Sequence, residues 1–482
     1  MSSNTTTTAS AGTGQWAVPA RPAGFGVTIG LAVLGVFVTY VPITGVSVAL
    51  DTISRATGAG TSDLQWISDA YIIPMAAAVL SAGVFGDIHG RRRVFSIGMV
   101  LTVVGAVIAG LSSVAGDAAV YVLWGGQAVS GLGAGLLLPT TLALIAYAVP
   151  NPMERGKYVG MWATGMVVGL AVGPLLSGVI LTFAGWGWIY APIGVLAIVA
   201  GLIAHVKLPE SKNPAGRHLD WPGQITATIA IASSIYGVIE GGSKGWGSLE
   251  AVIGLAVGAV ALVLFLIAES RSTAPLMDLK LFRSTAFSAA GLSALIALFS
   301  VVGTMFLLSL FLGSVQHLEP LEIGVRLLFV TGVAAIANPL TARLMTRVKP
   351  LLILAAGLLL CGAAVLMLTS VTDTTSFGAL IWRLAVFGVS LSLMLTPVSI
   401  VAINSVPWQQ AGMASAANTA LRQYGGALGP AVLGAIYVGQ LTDGRTPSAA
   451  LHTALITNTV LLAVAVLACI IAAFVTKAEP AK

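Results

Sequence analysis

Fourteen apolar stretches follow one another along the chain, each long enough to supply the ~20 residues with which a helix crosses a bilayer. They fall at 25–50, 65–86, 94–114, 118–148, 157–183, 187–206, 221–240, 249–268, 285–313, 324–345, 350–370, 376–401, 409–438 and 453–475. The 118–148 and 409–438 stretches are too long for straight spans and predict tilted or projecting helices. Segments 207–220 and 269–284 are polar and turn-rich, so they read as linkers on either side of an inserted helix pair. The predicted fold is all-α and membrane-integral. A disordered tail over 1–24 precedes a six-helix bundle over 25–206. A linker with two extra helices spans 207–284, a second six-helix bundle 285–475, and a tail 476–482.

Composition agrees with this pattern. The chain is 57% apolar and 8% charged, with a mean hydropathy of +0.96, far from the balance of a soluble domain. Its pI near 9.4 comes from Lys and Arg in the loops. With the N-terminus inside, 17 of the 23 basic residues fall on the cytoplasmic side and only Arg55, Lys244 and Arg445 lie clearly outside. That bias places both termini in the cytoplasm by the positive-inside rule and accounts for the basic charge without nucleic acid. The five histidines are scattered with no metal-ligand spacing. Cys361 and Cys469 sit in apolar runs, which argues against a disulfide. The first twenty residues lack the layout of a signal peptide, so the first span reads as an uncleaved anchor.

Polar residues inside the spans are the candidates for chemistry. Tyr40, Thr44, Ser47 and Asp51 step by 4, 3 and 4 and share one face of the first span. Such a stripe should face the bundle interior or a wet cavity. Gln65 and Asp69 share a face of the second span, with Asp69 roughly 8 Å from its outer end. Asp69 either exchanges protons or caps and hydrogen-bonds near the interface, and the neighbouring Trp66 and Tyr71 favour the first. Arg422 lies roughly 20 Å into the thirteenth span, on a face with Ser415 and Asn418. It meets either an anionic substrate group or an acid or backbone carbonyls of the protein. Arg383 is shallower and can snorkel outward.

Two motifs carry more information than any single residue. The loop Gly83-Val-Phe-Gly86-Asp87-Ile-His-Gly90-Arg91-Arg92-Arg93 resembles the loop between spans 2 and 3 of the major facilitator superfamily. Gly160, Gly169, Gly173, Pro174 and Gly178 are similar to the antiporter motif of its fifth span, with Ser177 in place of one glycine. Leu64-Gln-Trp-Ile-Ser-Asp69-Ala-Tyr71, Ala274 to Arg283, and Arg422 to Pro430 resemble segments of its fourteen-span drug–proton antiporters, and the extra central helix pair is that branch's hallmark. The resemblance implies two bundles working by alternating access. Asp87 is expected to close the cytoplasmic gate by docking at the start of the thirteenth span, residues 409–413, held by Arg91 and Arg92. The glycine–proline pattern marks exporters. Two positions depart from the family: Pro42 stands where an acid is common in span 1, and Gln127 where span 4 carries an arginine linked to proton transfer.

The expected function is secondary-active export of a small amphiphilic drug or secondary metabolite, coupled to protons. Gly156-Lys157 is followed by Tyr158, so no phosphate-binding loop exists and the chain has no ATPase of its own. No clustered His, Asp or Cys suggests an enzyme, and no cofactor or metal is implied. The partners expected are the small-molecule substrate, protons and lipid, with the protein a monomer in the plasma membrane. A transport-inactive sensor or assembly partner of the same fold, and a uniporter without proton coupling, are the alternatives.

Overall fold

The computed structural model describes residues 24–149, 151–212, 219–273, 275–407 and 410–478. The expected N-terminal tail falls outside them apart from Gly24, as do Arg21, Arg217, His218, Ala274 and Lys482. Among the described residues there are fourteen long helices. They are α1 Phe25–Thr57, α2 Thr61–His89, α3 Arg91–Leu111, α4 Ala119–Ala148, α5 Pro152–Leu181, α6 Ala191–Lys207, α7 Trp221–Lys244, α8 Leu249–Arg271, α9 Thr285–Ser314, α10 Pro320–Leu344, α11 Pro350–Leu368, α12 Phe377–Asn404, α13 Ala411–Thr442 and α14 Pro447–Ala478. Thirteen are long and apolar enough to cross a membrane. The exception is α13. It is 32 residues long, but its glycines and its buried Asn418, Arg422 and Gln423 lower its apolarity.

Packing repeats between the halves. In the first, α1 packs on α5, α2 on α4, α3 on α4, and α3 on α6. In the second, α9 packs on α13, α10 on α12, α11 on α12, and α11 on α14. Shifting each label by eight superimposes the two lists, so the packing shows an internal repeat of the two halves. Two seams join the halves and obey the same relation: α2 with α13, and α5 with α10. The inserted pair α7–α8 packs on itself and lies against α2 and α13. The outer face of α8 exposes Val252, Val260 and Val263, as a helix in contact with acyl chains would. By contrast, α9 is buried along almost its whole length.

Internal prolines follow this plan. They occur in α1, α2, α4 and α5, and again in α10, α12 and α13. All but α4 and α12 contact the opposite half. None is internal to α3, α6, α8 or α11 at the periphery. A proline removes one backbone donor and bends a helix, so the bending is concentrated where the two halves meet. Cys361 and Cys469 are buried free thiols, each beside a serine: Ser300 at 3.5 Å and Ser293 at 3.3 Å.

The α9–α13 contact is close enough to test. A Cβ on Gly425 would sit 2.0 Å from the Leu295 carbonyl oxygen, whereas one on Gly439 would meet nothing within 4 Å. Gly425→Ala should therefore destabilise by about 1–3 kcal/mol through overpacking. Gly439→Ala should be neutral or gain up to about 1 kcal/mol from helix propensity. Thermal melting of the two purified variants checks this, and equal shifts would contradict the packing.

Candidate functional site

Five buried side chains with unmatched polar atoms, Gln65, Asp69, Asn418, Arg422 and Gln423, lie on α2 and α13, which form one seam between the halves. α2 and α13 run antiparallel. Gln65 packs over Gly434, Ile72 over Gly426, and Gln423 Nε2 lies 3.2 Å from Met75 Sδ. Asp69 lies on this stretch of α2, fully buried, and neither carboxylate oxygen has a hydrogen-bond partner. Gln65 Nε2 and Gln423 Oε1 are likewise buried and unmatched. A polar group in that condition costs about 1–3 kcal/mol. The cap or interface hydrogen bond that could explain Asp69 is absent among the described residues.

Arg422 is 2% exposed. Its Nη2 reaches the Tyr40 hydroxyl at 3.4 Å, across from the second half to the first, and its Nε has no partner. No carboxylate among the described residues is within ion-pair distance. Asn418, one turn inward on the same face, is buried with an unmatched Oδ1. Arg422 therefore sits between the halves as an uncompensated cation. Arg383 donates to the Ala379 carbonyl and lies over the Trp382 ring at 4.9 Å.

The α1 stripe is one face, and its Tyr40, Thr44 and Asp51 side chains are already engaged within the protein. Thr44 Oγ1 donates to the Leu170 carbonyl of α5 at 2.9 Å. The Ser47 carbonyl accepts from Ser309 of α9. Asp51 pairs with Arg55 at 2.9 Å, and Arg55 also reaches the Gly313 carbonyl at 3.4 Å. Gln127, at the position of the family's arginine, donates to the Ile67 carbonyl at 3.2 Å and ties α4 to α2. Pro42 lines a small crevice with Gly45, Ser177 and Tyr190.

The glycines of α5 make close contacts in two directions. A Cβ at Gly169 would lie 2.9 Å from the Phe37 carbonyl and one at Gly173 2.5 Å from the Val41 carbonyl, both on α1. Gly178 meets Leu321 of α10, and Gly324 of α10 meets the Pro174 carbonyl. A Cβ on Gly160 would meet nothing within 4 Å, so Gly160 plays no part in this packing. Gly165, outside the expected set, packs on Val33. With Ser309–Ser47 and Arg55–Gly313, the α5–α10 contacts join the two halves near the C-terminal ends of α1, α5 and α9 and the start of α10.

At the opposite end, Gly90 alone separates α2 from α3, at φ 105°, a conformation only glycine adopts readily. Asp87 is buried, and its Oδ1 accepts from Arg91 at 2.9 Å. Arg91 also donates to the Ala143 carbonyl of α4. Arg92 and Arg93 turn instead to Glu210, at 3.8 and 3.9 Å, and the Arg91 amide donates to the Ser211 carbonyl. Gly83 packs near Pro139. Residue 409, part of the docking point expected for Asp87, lies outside the described residues. Glu210 escaped sequence reasoning because it looked like one more linker charge.

The Major Facilitator Superfamily profile matches residues 32–430. The chain belongs to that superfamily. Among its relatives is the multidrug resistance protein Stp of Mycobacterium tuberculosis, 33% identical over 417 residues, covering 86% of this chain and 76% of that protein. The tetracenomycin C resistance and export protein of Streptomyces glaucescens is 29% identical, over 85% of this chain and 75% of that one. The methylenomycin A resistance protein of Bacillus subtilis is 29% identical, over 86% and 87%. The crystal structure of a D-xylose–proton symporter matches 91% of this chain and 97% of its own with a TM-score of 0.66 at 12% identity. That of the human organic anion transporter MFSD10 matches 92% and 99% with a TM-score of 0.63 at 16% identity. At such identities these two report the fold alone.

An uncompensated buried charge weakens the fold it occupies. Arg422→Met keeps the length and removes the charge, so it should stabilise the purified protein by about 1–3 kcal/mol while lowering transport. Melting curves and flux on the same preparation check this. A destabilised Arg422→Met variant would mean that Arg422 has a partner.

Proposed function

We propose that this protein is a secondary-active exporter of small amphiphilic molecules, driven by protons moving inward through the plasma membrane. It works as a monomer with both termini in the cytoplasm. Membership of the superfamily, and relatives named for drug and antibiotic resistance, support export. The lysine and arginine distribution supports the orientation. The observation that carries proton coupling is Asp69, fully buried with no partner in the seam between the halves. Intramembrane acids are costly and persist where a proton or ion must be handled. Because the usual charged positions hold Pro42 and Gln127, Asp69 is the acid available for the task. Alternating access then follows from rocking the halves across their two seams. Tyr40, Asn418 and Arg422 meet the substrate when the α1 face opens.

Asp69→Asn keeps shape and removes the titratable group. In proteoliposomes this variant should lose proton-driven rhodamine 6G accumulation while keeping rhodamine 6G counterflow, which needs no gradient. Full gradient-driven accumulation by the variant would contradict the assignment and favour the uniporter.

Asp87 is assigned to hold the inner ends of the halves together in the outward-facing state. A carboxylate near a helix N-terminus gains about 0.3–2 kcal/mol, and ~1.4 kcal/mol shifts a conformational ratio tenfold. Asp87→Asn should thus lengthen the spin-label distance between positions 88 and 410. An unchanged distribution with normal turnover would remove Asp87 from the gate.

A further inference from the structure

The inserted pair α7–α8 lies outside both halves, and alternating access alone gives it no task. α7 covers the α2–α13 seam and bonds to both sides. Toward α2, Gln224 Nε2 donates to the Ala77 carbonyl at 2.9 Å, Ser81 donates to Gln224 Oε1, and Tyr236 packs on Trp66 with ring centroids 6.1 Å apart. Toward α13, the Ser234 and Tyr424 hydroxyls share a hydrogen bond of 2.9 Å, and Gly242 packs against Ala435. On α2, therefore, Gln65 and Ile72 face α13 while Trp66 and Ala77 face α7. At 3.6 residues per turn, Asp69 falls between those two faces. It lies away from the side on which the Tyr71 hydroxyl reaches the Thr39 carbonyl of α1. The unpartnered acid thus belongs to the α2–α7–α13 junction, beneath the inserted pair.

Polar groups continue from this junction down α7. Ser234 is followed by Thr228, six residues or about 9 Å lower, whose hydroxyl accepts from Gln224 Nε2 at 3.2 Å. One turn below Gln224, two carboxyls converge. Asp220 caps α7 by accepting from the Gly223 amide at 2.9 Å, and Glu269 of α8 accepts from the Met277 amide at 3.1 Å. Among the described residues each keeps one oxygen without a partner, Asp220 Oδ2 and Glu269 Oε1, although the residues are only 7% and 4% exposed. Those two oxygens lie 3.1 and 2.8 Å from the point where a Cβ on Gly223 would stand. A cavity of about 430 Å³, with Arg271 in its wall, adjoins Asp220. Among the described residues, the charged groups beside this pair are Arg271, in the wall of that cavity, and Asp278, which accepts from the Lys280 amide.

We propose that the inserted pair is the proton's route between Asp69 and the cytoplasm, with Asp220 and Glu269 as its inner acceptor. This rests on Asp69 being the coupling acid. In the step, the Asp69 carboxylic acid loses a proton and becomes a carboxylate. The hydroxyls of Tyr424, Ser234 and Thr228, with water in the intervals between them, each accept one proton and release another. The Asp220–Glu269 pair gains a proton and passes it to cytoplasmic water. Gln224 is a positioning residue that holds the Thr228 and Ser81 hydroxyls. Proton and cargo then use separate openings, one under α7 and the other along the α1 face.

The route is tested without any substrate, on the full chain in lipid nanodiscs. Time-resolved infrared spectroscopy after a pH jump follows the carboxylic acid band that Asp69→Asn lacks. Thr228→Val and Glu269→Gln should slow the response of that band about tenfold or more without changing its final amplitude. Thr228→Ser, which keeps the hydroxyl, should respond at the wild-type rate. Unchanged rates in both Thr228→Val and Glu269→Gln overturn the route, as does a Thr228→Ser variant as slow as Thr228→Val. Ser234→Ala, a smaller change, gives a second reading and should also slow the band. A protein with no titrating band assignable to Asp69 would overturn the coupling reading itself, so the two failures are distinguishable.

Discussion

In hydrocarbon a polar group has no water to fall back on, so each one buried in this protein must find its partner within the chain. Most do. Thr44 takes the Leu170 carbonyl, Gln127 the Ile67 carbonyl, Tyr71 the Thr39 carbonyl, and Asn458 the Ser300 and Thr304 hydroxyls. Against that background the exceptions have meaning. Asp69 and Arg422 are a buried acid and a buried base, both uncompensated, on the two helices that form one seam between the halves. They are not positioned to neutralise each other. Met75 stands opposite Gln423 and Gln65 opposite Gly434, which leaves Asp69 and Arg422 about 10 Å apart along the seam.

Close helix packing makes such a seam possible. The glycines of α5 let its backbone approach α1 and α10, and Gly425 lets α13 approach α9. Packing this tight tends to switch between discrete arrangements rather than deform continuously. The prolines of α1, α2, α5, α10 and α13 sit in those same helices, where bending and sliding have the most effect. The peripheral helices α3, α6, α8 and α11 hold no internal proline.

Much of the fold was legible in the sequence because a membrane span announces itself locally. All fourteen helices overlap the apolar runs that predicted them, although several ends run on past the runs, α1 to Thr57, α13 to Thr442 and α14 from Pro447, where small and polar residues dilute the signal. The candidate site was only partly legible. Asp69 stands out as an acid in an apolar run, and Tyr40, Thr44, Ser47 and Asp51 share a face by periodicity alone. What the sequence could not carry was which of these side chains is already satisfied. The Thr44 hydroxyl is engaged by a carbonyl 126 residues away. Glu210 is recruited by Arg92 and Arg93 across more than a hundred residues, and Asp220 meets Glu269 only because α7 and α8 pair. Such contacts have no local period, and only the assembled chain reveals them.

The central claim is that a proton and a small molecule cross this protein in opposite directions and in a fixed ratio. The most direct test records both fluxes at once in proteoliposomes of the unaltered protein, with pyranine reporting internal pH and rhodamine 6G as cargo. A proton gradient that moves rhodamine 6G one way while protons move the other, with the ratio constant as the gradient is varied, is the predicted result. Rhodamine 6G flux that proceeds at the same rate with the gradient collapsed, and without accompanying proton movement, would contradict the account.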